Sequence, residues 1–85
     1  MMNPEQVQAL LEAGIEGARA TVQGGGDRFE ILVVAETFEG MSKVRRQQQV
    51  YACINEQIAS GNIHAVTIHT YTPAEWDKAQ RMGIA

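Results

Sequence analysis

The groups in this 85-residue chain with chemistry to offer are two imidazoles, one thiol, a capping serine and a short run of cations. His64 and His69 lie five residues apart in a stretch rich in β-branched residues. A period of two sends them to opposite faces of a sheet, so they cannot jointly hold one metal ion. Cys53 is the single cysteine, which excludes an intramolecular disulfide and a cysteine-only zinc site. Set between Ala52 and Ile54, it reads as a small buried hydrophobe. Ser42 has no nucleophile motif around it and stands where a serine caps a helix. The carboxylates are scattered, and no two form a general acid and base. An enzyme acting alone is not the expectation. Gly24-Gly25-Gly26 leads into a strand, whereas phosphate-binding loops lead into a helix N-terminus, so it reads as a hairpin connection. Lys43, Arg45 and Arg46 remain. They crowd the start of a helix, where the dipole disfavours cations. A solvated helix face is one reading of this cluster; the other, which the local cost favours somewhat, is a docking patch for an acidic partner surface or a phosphate backbone.

Composition narrows the classes further. A formal net charge of −3 argues against a molecule that binds nucleic acid through its overall field, leaving only a local patch for that role. The 45% hydrophobic and 20% charged content is that of a folded domain. A lone cysteine fits a reducing compartment. The start, Met1-Met2-Asn3-Pro4-Glu5, lacks the basic and apolar regions of a signal peptide, and the longest apolar run, Ile31 to Ala35, is too short to cross a bilayer. The expectation is a cytoplasmic protein with no membrane attachment.

The elements that must position these groups are legible in order. Asn3, Pro4 and Glu5 start a helix expected over about 4–18, with Val7, Leu10, Leu11, Ile15 and Ala18 on one face. Residues 20–23 form a short strand candidate, Gly24 to Asp27 a flexible connection, and Phe29 to Thr37 a strand with Phe29, Ile31, Val33 and Ala35 on one face. Phe38 to Met41 turn the chain. Ser42 caps a helix that runs to about Ser60 and stops at Gly61. Its apolar face is expected to carry Val44, Tyr51, Ile54 and Ile58, with Val50 beside it, and its opposite face Lys43, Arg45, Arg46, Gln48 and Glu56. Ile63 to Tyr71 reads as a third strand. Thr72-Pro73-Ala74-Glu75 is a capping box opening a last helix with Trp76, Ala79 and Met82. Tyr71 and Trp76 read mainly as core residues. The result is one α+β domain over residues 1–85, order α-β-β-α-β-α, with helices over one face of a three-stranded sheet.

Three stretches together resemble the BolA family. They are Asp27-Arg28-Phe29-Glu30-Ile31-Leu32-Val33-Val34, then Phe38-Glu39-Gly40-Met41-Ser42-Lys43-Val44-Arg45-Arg46-Gln47-Gln48-Gln49-Val50-Tyr51, then Ile63-His64-Ala65-Val66 leading to Tyr71-Thr72-Pro73-Ala74-Glu75-Trp76. The run from Lys43 to Tyr51 is similar to the bacterial IbaG-like branch. The resemblance implies a fold like the class II KH domain. It also implies partnership with a monothiol glutaredoxin and a [2Fe-2S] cluster shared with it, in iron–sulfur trafficking or in redox and stress regulation. His64 matches the family's histidine ligand. An imidazole in place of a thiolate removes negative charge and makes a cluster easier to reduce.

Some family members carry a second ligand, Cys or His, in the hairpin loop. From Gln23 to Arg28 this chain has neither, and Cys53 and His69 do not match that place. Alone, the protein is expected to hold no tightly bound cofactor and to be a monomer or weak homodimer. The competing implication of the resemblance is a nucleic-acid-binding transcriptional regulator using Lys43, Arg45 and Arg46. Against it, Gly40-Met41-Ser42-Lys43 keeps only one glycine of the KH Gly-x-x-Gly loop. A plain interaction module, with His64 dispensable, is the third possibility.

Overall fold

The computed structural model describes residues 2–26 and 28–83. Helix α1 (Pro4–Gly14) is followed by strands β1 (Arg19–Gly25) and β2 (Arg28–Val34), a 3₁₀ turn (Glu36–Phe38), helix α2 (Lys43–Ala59), strand β3 (Ala65–Tyr71) and helix α3 (Pro73–Arg81). The sheet order is β1-β2-β3, with β1 and β2 antiparallel and β2 and β3 parallel. Helix α2 is therefore the crossover that returns the chain to start a parallel strand.

Local chemistry explains where the elements begin. Asn3 caps α1 by accepting from the Gln6 amide at 2.8 Å, while the Gln6 side chain accepts from the Asn3 amide at 2.9 Å. Ser42 accepts from the Arg45 amide at 3.2 Å. Thr72 and Glu75 form the reciprocal box at 3.1 and 2.9 Å. All three caps stand where the sequence places them. Helix α1 is shorter than expected, because Ile15 leaves helical geometry to bury itself and Gly17, with φ +70°, turns the chain into β1.

The hairpin is tighter than the glycine triplet implied. Gly24 and Gly25 pair with Phe29 and Arg28 inside the ladder, leaving only residues 26 and 27 between the strands. Asp27 itself lies outside the described residues. Gly24 has φ +123°, and a Cβ there would collide with the Arg28 carbonyl oxygen. Strand β2 also ends earlier than expected. The turn at Glu36–Phe38 swings Phe38 inward, where it is fully buried.

The core is built from Val7, Leu11 and Ile15, the Phe29, Ile31 and Val33 face of β2, and Val50, Ile54 and Ile63 from α2 and its exit. Burial alternates along β2, so Leu32 and Val34 belong to the sheet's other face. Helices α1 and α2 cover the first face. Helix α3 does not join them. Its Pro73, Trp76, Asp77 and Gln80 border a groove with Arg19, Thr21, Leu32 and Val34 of the second face, so the helices are not all on one side.

The inward stripe of α2 also differs from the expected one. Arg46, Val50 and Ile54 are buried, whereas Val44 is 64% exposed and Tyr51 38%. Both stripes fit a period of 3.6, but the inward one begins with an arginine.

Candidate partner-binding site

Arg46 is the first site residue whose placement departs from expectation. Its side chain is 8% exposed. Nη1 and Nη2 donate to the two Glu75 carboxylate oxygens at 2.7 and 3.3 Å, Nε donates to the Met41 carbonyl at 3.1 Å, and the guanidinium carbon lies 5.8 Å from the Phe38 ring centroid. This forked geometry satisfies a planar guanidinium from several sides. Arg46 is thus a tie between α2, the 38–41 turn and α3, and not part of an exposed cationic patch. The same contacts, with the Thr72 amide, hold the Glu75 carboxyl below the usual glutamate range. Glu75 was recognisable as a capping residue. Its role as counter-ion to a residue 29 positions away carried one sequence signal, a cation placed against the helix dipole.

Lys43 and Arg45 are exposed on the first turn of α2. His64 is exposed at the far end of that helix. Gly61, with φ +84°, ends α2, and the Asn62 and Ile63 amides donate back to the Gln57 carbonyl at 3.0 and 3.2 Å. The Asn62 side chain donates to Gln57 Oε1 at 2.9 Å, and Ile63 is buried. His64 is therefore presented from a pinned segment. It precedes β3, so strand alternation does not govern its direction. Ala65 pairs with Arg28, which puts His64 at the hairpin-turn end of the sheet. A helix of 17 residues separates it from Lys43 and Arg45, about 25 Å at helical rise. The structure does not bring the cations and the imidazole into one site.

His69 stands on the second face of the sheet, its Nε2 4.0 Å from a Glu30 carboxylate oxygen. Cys53 is half-buried against α1, its Sγ 3.4 Å from the Gln49 carbonyl, and burial pushes its thiol pKa up. It stays a protonated packing group at neutral pH. Tyr71 and Trp76 are half-buried and tilted against each other, with ring centroids 5.2 Å apart. They are not members of the main core.

Among the described residues no three His, Cys, Asp or Glu side chains converge on a possible metal position. The chain offers an iron–sulfur cluster two exposed imidazoles set apart from each other, His64 ahead of β3 and His69 on the second face, and no exposed thiol. These residues fit a cluster only as a shared group whose other ligands come from a partner. No helix among the described residues is long and apolar enough to cross a membrane.

Residues 5–75 match the family model described as "BolA-like protein". The chain belongs to the BolA family. Among BolA relatives, it is 45% identical to a protein of Acinetobacter guillouiae from the rpoN-murA intergenic region, over 96% of this chain and 99% of that one. It is 40% identical to the acid stress protein IbaG of Escherichia coli K12, over 95% and 96% of the two chains. The solved structure of a BolA homologue from Coxiella burnetii superposes with a TM-score of 0.81 at 32% identity, covering 91% of this chain and 99% of that one. The α-β-β-α-β-α architecture matches BolA structures throughout.

Proposed function

We propose that this BolA-like domain is a non-enzymatic adaptor that docks onto a monothiol glutaredoxin, with His64 approaching a [2Fe-2S] cluster held mainly by that partner. The observation that carries this reading is the presentation of His64. It is exposed at the end of the sheet on a segment fixed by Gly61, Asn62 and Ile63. A ligand to a shared cluster needs such a position, because an imidazole held rigidly outside the core reaches a partner's metal without any unfolding. The cluster would supply electron transfer or transfer of the cluster itself, while this chain supplies one neutral nitrogen donor. Only the neutral ring can ligate, so the shared complex weakens on acidification. Iron–sulfur trafficking and redox or stress regulation in the cytoplasm are the roles that follow.

The test is an anaerobic titration of cluster-loaded monothiol glutaredoxin with this protein, followed by visible absorption and circular dichroism. A saturable change at equimolar protein, abolished by His64→Ala, is the expected result. An identical spectrum with the His64→Ala protein would remove the ligand assignment. The nucleic-acid reading retains only Lys43 and Arg45 of its three cations, since Arg46 is committed to Glu75.

A further inference from the structure

The second face of the sheet carries a groove of about 810 Å³ that the His64 reading does not use. Its floor is apolar, made by Leu32 and Val34 of β2 with Ala35, Pro73 and Trp76. Leu32, Val34 and Trp76 are each half-buried. The volume falls within the ~300–1,000 Å³ range of sites that enclose drug-sized ligands. The rim is mainly acidic. Glu16, Glu36 and Asp77 line it against a single cation, Arg19. Asp77 already pairs with Arg81 at 3.1 Å, whereas Glu16, Glu36 and Arg19 have no ion-pair partner among the described residues, which leaves two free carboxylates against one free cation. Lys43, Arg45 and Lys78 do not line the groove.

The geometry points to this groove as a docking site for a short segment of another protein that presents a basic residue beside aliphatic side chains. The apolar floor takes the aliphatic groups, and Glu16 and Glu36 take the cation. Trp76 also lines the groove, within the same site as the two carboxylates. An acidic segment could pair only with Arg19 and would meet the two unpaired carboxylates, so it is disfavoured. The groove opens at the end of the sheet where Arg19 pairs with Val34 and Val34 with Tyr71. His64 lies at the opposite end, about 20 Å away along a seven-residue strand. An occupant of the groove therefore leaves His64 free, and the inference does not rest on the cluster reading.

Trp76 is the chain's single tryptophan, so its fluorescence reports the groove directly. The experiment titrates the full chain alone with the blocked peptide acetyl-Leu-Lys-Leu-Arg-amide, with calorimetry in parallel. Two control peptides replace the basic residues by glutamate or the leucines by glycine. The expected result is a saturable fluorescence change with the first peptide only, weakened by added salt. The double variant Glu16→Gln/Glu36→Gln, whose exposed side chains leave the fold intact, should bind about threefold to tenfold more weakly. Absence of both heat and fluorescence change with the first peptide would overturn the inference. So would equal binding of the glutamate peptide, or unchanged affinity in the double variant.

Discussion

Arg46 shows how a charge can be read from sequence with the right oddity and the wrong explanation. Its position against the helix dipole looks like a sacrifice made for a partner. The structure supplies that partner from within, since Glu75 neutralises the guanidinium and Met41 and Phe38 complete its surroundings. Replacing it breaks three hydrogen bonds and empties a buried volume. Arg46→Ala should destabilise the protein by about 2–3 kcal/mol, while Arg45→Ala should stay within about 0.5 kcal/mol of the parent. Urea unfolding followed by circular dichroism separates the two. Arg46→Lys should recover little, because an ammonium cannot reproduce the fork to both carboxylate oxygens.

At the scale of elements, the contact between α1 and α2 is set by a missing methyl group. A Cβ on Gly14 would lie 2.5 Å from Cys53 Sγ. Alanine favours a helix over glycine by about 1 kcal/mol, yet Gly14→Ala should destabilise this protein, because the thiol is held between two helices. Adding Cys53→Ala should restore most of the loss, and a double-mutant cycle of thermal unfolding would read the coupling. Nothing in the sequence reveals this pair, since both residues look unremarkable in their own helices. What was legible is what local chemistry decides. The caps at Asn3, Ser42 and Thr72, the helix stop at Gly61 and the buried face of β2 all follow from neighbouring residues. The errors lie where distant residues decide. Val44 and Tyr51 fit an apolar stripe as well as Val50 and Ile54 do, and only Glu75, brought close by the fold, makes Arg46 the inward residue. Likewise Trp76 reads as core until α3 is seen to lie over the second face of the sheet. For the candidate site, the resemblance alone singles out His64, and the length of α2 that parts it from Lys43 and Arg45 required the topology.

At the scale of the whole molecule, the joint between α2 and α3 ties stability to pH. The folded state lowers the Glu75 pKa through Arg46 and Thr72. The folded protein thus binds that proton more weakly than the unfolded chain does. This contribution is complete above the ordinary glutamate value of about 4.3 and vanishes as pH falls through the lower folded value. The unfolding midpoint in urea should therefore fall on acidification below pH ~4.5. Glu75→Gln should be less stable at neutral pH and show a shallower fall, and a parallel slope in the two proteins would count against this account. The mixed sheet adds a consequence of a different kind. Two residues separate β1 from β2, whereas thirty separate β2 from β3. The hairpin closes over a short loop, but the parallel pair forms only after α2 has been laid down across the core, so its closure entropy is met late. Synthesis from the N-terminus follows the same order. α1 and the hairpin emerge as a half-built sheet whose free β2 edge stays open until β3 arrives, and that interval is when a nascent chain of this fold is most exposed to mispairing with another.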